Sequence, residues 1–152
     1  IKTPSGRGDI SKIKIQNKNF FLIDEAYNSN PLSLRTAIEN YDKIKLQKSK
    51  KHLVLGDMLE LGKHSIKQHK LMSKFVNKTK INHVYVIGNH IKETFKGLKL
   101  NKKAKILNDK SDIIDLINKD LNNNDYLMIK GSNSTGLHEI TNILKQRVSN
   151  AL

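Results

Sequence analysis

Short apolar runs alternate with predicted helices along most of this chain, and this alternation limits the folds that the chain can adopt. The apolar runs cover residues 19–23, 52–55, 84–87, 104–107 and 126–129. Strands that alternate with helices build βαβ units, in which parallel strands form one sheet between two layers of helices. A polar–apolar alternation at 12–16, joined to the first run by Asn17-Lys18, predicts an antiparallel strand at one edge. The sequence therefore predicts an α/β, Rossmann-like domain with a mostly parallel sheet of about six strands, five parallel and one antiparallel, and helices on both faces.

The helix after the first parallel strand has the clearest signals. It is predicted over about 31–46, with Asn30 as the N-cap and Pro31 as the first helical residue, positions that both residue types favour. Its apolar residues recur at the spacing of one helical face: Leu34, Ala37, Ile38 and Tyr41. A second helix is predicted at about 65–78, and Ser111 is expected to cap a later one.

Polar and glycine-rich clusters follow the predicted strands. They are Asp24 to Asn30, Gly56-Asp57, Gly88-Asn89 and Lys130 to Gly136. The carboxyl ends of parallel strands lie along one rim of a sheet, which is where α/β proteins bind ligands. Turns at that rim also need small and polar residues for structural reasons, and Asp24 and Asn28 can tie such a turn through backbone hydrogen bonds. The residues alone thus leave a binding role and a structural role open.

Composition narrows the class of protein. A length of 152 residues predicts one domain, residues 1–152. The net charge of +14 invites a nucleic-acid interpretation. Nearly all of the positive charge is lysine, however, scattered along the chain without interleaved aromatics, which argues against nucleic acid and leaves anionic small ligands open. No apolar run approaches the ~20 residues of a membrane span, so no membrane partner is expected. The start at Ile1 suggests a piece of a longer protein.

Two loops carry candidate chemistry. The loop from Lys130 to Gly136 could hold a phosphate or carboxylate on backbone N–H groups, although its order of residues is not that of a P-loop. The block from Gly56 to Gly62 contains two carboxylates, Asp57 and Glu60, which could bind Mg2+ or a substrate amine, or act as acid and base. The histidines lack metal-ligand spacing, and His69, on the inner side of a helix, is expected to be structural.

Four blocks together resemble the C-terminal domain of the Mur ligases of peptidoglycan synthesis. They are Ser5-Gly6-Arg7-Gly8, the stretch from Asp24 to Ser33, Leu55 to Gly62 followed by Ser65 and His69, and Lys130-Gly131-Ser132. They come in the family's order and span nearly the whole chain. The resemblance implies the third domain of a cytoplasmic bacterial ligase whose first domain binds a UDP-sugar and whose middle domain carries the ATPase. The second and third blocks match the branch that adds D-alanyl-D-alanine to UDP-N-acetylmuramoyl-tripeptide through an acyl phosphate.

The resemblance also implies roles for individual residues. Arg7 would reach the phosphates of ATP, Asp24 would accept hydrogen bonds from the ribose hydroxyls, and Asn28 would contact the nucleotide nearby. The D-alanyl-D-alanine side would be lined by Asn30, Asp57, Lys130 and Ser132. The ligands of Mg2+ would lie mostly in the central domain, and no catalytic residue is expected in this domain alone.

One residue departs from the family pattern. Asn133 stands where the family commonly has arginine after Lys-Gly-Ser, which puts a carboxylate contact to the dipeptide in question. The isolated domain is expected to be inactive. Two alternatives remain at this point: a stand-alone nucleotide- or nucleic-acid-binding module, and a related ligase with another amino substrate such as glutamate.

Overall fold

The structure is a computed structural model that describes residues 8–132 and 135–148. Arg7 and Asn133, both singled out in the sequence, therefore lie outside the described residues. The strands are β1 Asp9–Ile15, β2 Lys18–Glu25, β3 Lys51–Gly56, β4 His83–Ile87, β5 Lys103–Leu107 and β6 Tyr126–Lys130. The helices are α1 Pro31–Lys43, α2 Ser65–Asn77, α3 Ile91–Lys96, α4 Ser111–Asp120 and α5 Leu137–Lys145.

The six strands form one sheet in the order β1-β2-β6-β3-β4-β5. β1 pairs antiparallel with β2, and the four other pairings are parallel. The predicted fold class is thus confirmed, including the antiparallel strand at one edge. β6 inserts between β2 and β3, so the last strand in the chain is a central one and is buried on both faces.

Alternate residues of the strands belong to two separate hydrophobic cores, one on each face of the sheet. On one face α1, α2 and α3 pack over Ile23, Leu53, Leu55, Val86 and Met128. On the other face α4 and α5 pack over Leu22, Val54, Leu127 and Ile129. The period of two along a strand therefore decides which helix layer each side chain meets.

Two boundaries differ from the sequence-based predictions. α1 ends at Lys43 rather than near 46, because Ile44 already has an extended backbone. Ser111 is the first residue of α4 and not its cap: its N–H donates to the Asp109 carboxylate at 2.8 Å. In the part of the chain that the structure describes, no helix is both long enough and apolar enough to cross a membrane.

A polar cluster closes the sheet at the amino ends of β3 and β6. His52 Nε2 lies 2.9 Å from Asp125 Oδ2, and both side chains are almost completely buried. The other Asp125 oxygen accepts the Lys50 N–H at 2.9 Å. His83 approaches His52 from β4, with 3.3 Å between their Nδ1 atoms. Burial lowers the pKa of His52 despite the neighbouring Asp125 carboxylate, so the cluster is built around a neutral imidazole.

The connections out of β2 and β6 create a crevice at the opposite end of the sheet. β2 leads into α1 on one face, whereas its neighbour β6 leads into α5 on the other face. Adjacent strands whose connections leave to opposite sides define a topological switch point, where open α/β sheets bind ligands. Glu25 and Lys130 are paired in register at this point.

Candidate functional site

The loop from Asn28 to Asn30 separates two surface clefts at the switch point. The first, here called the α1 cleft, has a volume of about 410 Å³ and is lined by Glu25, Thr36, Asn40 and Lys130 among others. The second, the β3 cleft, has a volume of about 440 Å³ and is lined by Tyr27, Ser29, Leu59, Glu60 and Ser132 among others. Asn28 and Asn30 line both. The loop is thus a shared wall, and a shift in it changes both clefts.

Lys130 holds this shared wall in place. Its side chain is 2% exposed, and its Nζ donates to the backbone carbonyl of Asn28 and lies 3.8 Å from Glu25 Oε2. Burial lowers the pKa of Lys130, and the Glu25 charge opposes that shift. Burial likewise raises the pKa of Glu25 against the opposing effect of Lys130. Lys130 and Glu25 are therefore held side by side at the base of the α1 cleft, and each stabilises the charged form of the other.

Asp24 is fully buried and does not face the α1 cleft. Its Oδ2 lies 2.6 Å from Lys145 Nζ, and its Oδ1 accepts the Ala26 N–H at 3.0 Å. Its backbone carbonyl accepts the N–H of Gly8 at 2.7 Å. The Asp24 carboxylate is thus engaged by Lys145 and Ala26, and its assignment to the ribose stays a prediction. The carboxylate that lines the cleft is that of Glu25.

Strand alternation accounts for this exchange of roles. Leu22 belongs to the core under α4 and α5, and Asp24, two residues later, meets Lys145 of α5. Ile23 belongs to the core under α1, and Glu25, two residues later, faces the α1 cleft. The sequence analysis did not single out Glu25, although the period of two in β2 places its side chain on the α1 face of the sheet.

Asn28 and Asn30 have different local roles. Asn28 is exposed and reaches both clefts. Asn30 caps α1: its Oδ1 accepts the Ser33 N–H at 2.9 Å, and the Ser33 hydroxyl accepts the Asn30 N–H at 2.9 Å. The predicted N-cap and the first-turn position of Pro31 are both confirmed. This reciprocal capping box fixes the angle at which the shared wall enters the helix.

The Asp57 carboxylate accepts hydrogen bonds from the segment after β4 and lines neither of the two clefts. Its Oδ1 accepts the Ile91 N–H at 2.8 Å, and its Oδ2 accepts the Asn89 N–H at 3.1 Å. Two otherwise unpaired donors at the start of α3 are satisfied in this way. Both Asp57 oxygens are thus engaged by backbone N–H groups, and its placement on the dipeptide side stays a prediction. Glu60, the second carboxylate of the same block, lines the β3 cleft and has a left-handed φ of 63°.

His69 anchors the same block from below. It is fully buried; its Nε2 accepts the Met58 N–H at 3.0 Å, and its Nδ1 lies 2.7 Å from the Ser65 carbonyl, to which it donates. Both ring nitrogens are thus satisfied only in the neutral imidazole with the proton on Nδ1. Burial lowers the pKa of His69, in agreement with that state. The prediction of a structural histidine is confirmed.

Small hydroxyl side chains supply the floor of the β3 cleft. Ser132 is 9% exposed and lines it from the end of β6. Ser29 is 3% exposed, and its Oγ is a buried polar atom without a hydrogen-bond partner among the residues that the structure describes. A buried hydroxyl in that state is prepared to bond a ligand that enters the cleft. Nothing in the sequence distinguished Ser29 from an ordinary turn residue.

The described ranges contain no group of three or more histidine, aspartate or glutamate side chains that could hold a metal ion. The two clefts differ in the charged groups that line them. In the α1 cleft these groups are Lys130 and Glu25; in the β3 cleft the charged lining residue is Glu60.

Comparison with known protein families places this mixed α/β sheet in a class of ligase domains. The family described as Mur ligase, glutamate ligase domain, matches residues 12–133. The chain therefore belongs to the Mur ligase family, as its C-terminal domain.

The curated relatives are more specific. They include UDP-N-acetylmuramoyl-tripeptide–D-alanyl-D-alanine ligases from Buchnera aphidicola, 33% identical over 83% of this chain, and from Bacillus subtilis, 31% identical over 78% of it. The matched region is 27% and 26% of those relatives, so the chain spans about a quarter of their length.

Solved structures agree on the fold. The MurF ligase from Thermotoga maritima in complex with ADP superposes with a TM-score of 0.73 at 22% identity, over 97% of this chain and 32% of that one. A MurF structure from Acinetobacter baumannii gives a TM-score of 0.74 at 24% identity, over 95% and 31%. At these identities the likeness establishes the architecture described above.

Proposed function

We propose that this chain is the C-terminal domain of a longer, cytoplasmic ligase that joins D-alanyl-D-alanine to UDP-N-acetylmuramoyl-tripeptide at the expense of ATP. The observation that carries the proposal is the shared wall, Asn28 to Asn30, which places two polar clefts back to back at the switch point. A ligase of this kind must bring a nucleotide and an amine to the same carboxyl group. The names of the curated relatives supply the substrates.

The α1 cleft is assigned to the nucleotide. The Glu25 carboxylate is the acceptor that we assign to the ribose hydroxyls, with Asn28 beside it. Asp24 supports Glu25 from behind instead of touching the ribose. Arg7 is retained as the contact to the phosphates. Its neighbour Gly8 is bonded to the carbonyl of Asp24 at the end of β2, close to this cleft.

The β3 cleft is assigned to the incoming dipeptide. Ser29 and Ser132 offer hydroxyl groups to its peptide or carboxylate, and Glu60 offers a carboxylate to its ammonium group. Asn30 also lines the β3 cleft, and it fixes the shared wall by capping α1. Lys130 acts by fixing the wall, since its Nζ is already bonded to the Asn28 carbonyl.

The chemistry that these clefts serve is acyl transfer. ATP phosphorylates the carboxylate of the tripeptide, the dipeptide amine attacks the resulting acyl phosphate, and the tetrahedral intermediate expels phosphate. The domain contributes orientation and charge compensation, which are the main sources of rate enhancement in such reactions. Mg2+, which the resemblance implies, finds no ligand cluster in residues 8–132 and 135–148, and the proposal assigns its ligands to the rest of the ligase.

The test uses the complete ligase that contains this domain. Release of phosphate from ATP is measured with UDP-N-acetylmuramoyl-tripeptide and one amino substrate at a time: D-alanyl-D-alanine, D-alanine, or D-glutamate. We expect turnover with D-alanyl-D-alanine alone. Turnover with glutamate would assign the domain to another ligase of the family. Tight, steeply salt-dependent binding of single-stranded or duplex DNA in the absence of turnover would favour a nucleic-acid-binding module.

A further inference from the structure

A largely buried cation lies on the face of the sheet opposite the α1 cleft. Lys145, the last residue of α5, places its Nζ 2.6 Å from Asp24 Oδ2 and 3.0 Å from Asp9 Oδ2. Its side chain is largely buried, and Asp24 is completely buried. Burial alone would lower the pKa of Lys145, but its hydrogen bonds and charge interactions with Asp24 and Asp9 outweigh burial and raise it.

Asp24 connects this cation to the backbone beside the cleft. While Oδ2 is held by Lys145, Oδ1 accepts the Ala26 N–H at 3.0 Å, and the carbonyl accepts the Gly8 N–H. Glu25 stands between Asp24 and Ala26, so these bonds hold the backbone on both sides of it. The orientation of the Asp24 carboxylate therefore sets the backbone from which Glu25 projects into the cleft. A carboxylate buried to this extent stays charged and in place only while it has a partner.

We propose that Lys145 is a positioning residue of the nucleotide cleft, which acts through the Asp24 carboxylate to hold Glu25 in its binding orientation. The proposal rests on the assignment of the α1 cleft to the nucleotide. It adds a residue at the far end of α5, on the opposite face of the sheet from the cleft, that touches no ligand. Without Lys145 the buried Asp24 carboxylate loses its charged partner, so its side chain turns away and releases the Ala26 N–H.

The first measurement is hydrogen exchange in the 152-residue chain, which needs no activity. In Lys145→Met we expect the Ala26 amide to exchange about tenfold faster or more, relative to core amides such as Leu53. Lys110→Met is the matched control, because Lys110 forms an exposed pair with Glu139 at 3.0 Å. That control is expected to leave Ala26 unchanged. Unchanged exchange of Ala26 in Lys145→Met would overturn the proposal, whatever the chain catalyses.

The second measurement is kinetic and uses the complete ligase. Lys145→Met is expected to raise the KM for ATP about tenfold while kcat and the KM for the dipeptide stay within about twofold. A merely structural role would lower the active fraction, and so kcat, without this selectivity. Failure of the wild-type ligase to turn over at all would instead overturn the proposed function.

The double variant Asp24→Asn/Lys145→Met separates charge compensation from folding. An asparagine at position 24 keeps an oxygen for the Ala26 N–H but needs no cation. We therefore expect the double variant to recover most of the Ala26 protection that Lys145→Met loses. Its KM for ATP should likewise return most of the way to the wild-type value. No recovery in either measurement would show that Lys145 does not act through the Asp24 carboxylate.

Discussion

Glu25 and Lys130 sit directly opposite each other at the carboxyl ends of β2 and β6, with 3.8 Å between Oε2 and Nζ. β2 and β6 are separated by most of the chain but are neighbours in the sheet. Lys130 also donates to the Asn28 carbonyl, so one buried ammonium group joins the acid of the α1 cleft to the wall of both clefts.

Replacing Lys130 with methionine is expected to raise the KM values for ATP and for D-alanyl-D-alanine together, each about tenfold, or ~1.4 kcal/mol. Methionine keeps most of the side-chain volume but removes the bond to the Asn28 carbonyl, which loosens the wall common to both clefts. Steady-state kinetics of the complete ligase measure this. Lys67→Met, at an exposed lysine of α2, is the control. A rise confined to the dipeptide KM would return Lys130 to direct contact with that substrate.

Two isosteric changes should separate the clefts. Glu25→Gln is expected to raise the KM for ATP about three- to tenfold and leave that for the dipeptide unchanged, because a carboxylate accepts hydroxyl protons more strongly than an amide. Glu60→Gln should do the reverse by removing the charge that we assign to the dipeptide ammonium group. The same kinetic assay gives both constants. If both variants affect the same substrate, the assignment of separate clefts is wrong.

Asp57→Ala is expected to destabilise the domain by about 1–2 kcal/mol with little change in the KM for the dipeptide. The carboxylate satisfies the Asn89 and Ile91 N–H groups at the start of α3, and alanine leaves both unpaired. Urea unfolding of the 152-residue chain measures the loss. Asp57→Asn, which keeps one acceptor, should lose less. An unchanged midpoint together with a higher dipeptide KM would restore Asp57 to the substrate site.

Stability is expected to fall as the pH is lowered from about 7.5 to about 5.5. Burial lowers the pKa values of His52, His69 and His83 in the folded chain. Below the ordinary histidine pKa of about 6.5, these histidines bind protons in the unfolded chain but stay neutral in the folded chain. Because the unfolded state then binds more protons, the free energy of unfolding decreases as the pH falls. Urea unfolding at several pH values measures the slope.

The variant His69→Gln is the control for that slope. Glutamine can still accept the Met58 N–H but does not titrate, so the variant should show a smaller dependence on pH. Glu25, whose pKa is raised in the folded chain, acts in the opposite direction. Its contribution to stability is lost as the pH rises through its folded pKa, and Glu25→Gln removes it. A stability that does not depend on pH in this window would contradict the neutral, buried state of the histidines.

The fold could be predicted from the sequence because the signals for it are local. The periods of the strands and helices, and the Asn30-Pro31 start of α1, lie within single elements. The side-chain roles at the rim depend on contacts between elements. The Asp57 carboxylate accepts the N–H of Ile91, more than 30 residues further along the chain. Nothing in the sequence around Asp57 indicates this contact. Strand alternation in β2 does carry a local signal that Asp24 and Glu25 face opposite sides of the sheet.

The bond between Gly8 and Asp24 also has a mechanical meaning. Gly8 has a φ of +95°, and a Cβ atom there would lie 2.6 Å from Glu25 Oε1, so both conformation and space call for glycine. Gly8 is tied by one hydrogen bond to the residue before Glu25. A larger side chain at position 8 would therefore press on the Glu25 carboxylate, so this glycine keeps free the space that the acid of the α1 cleft occupies.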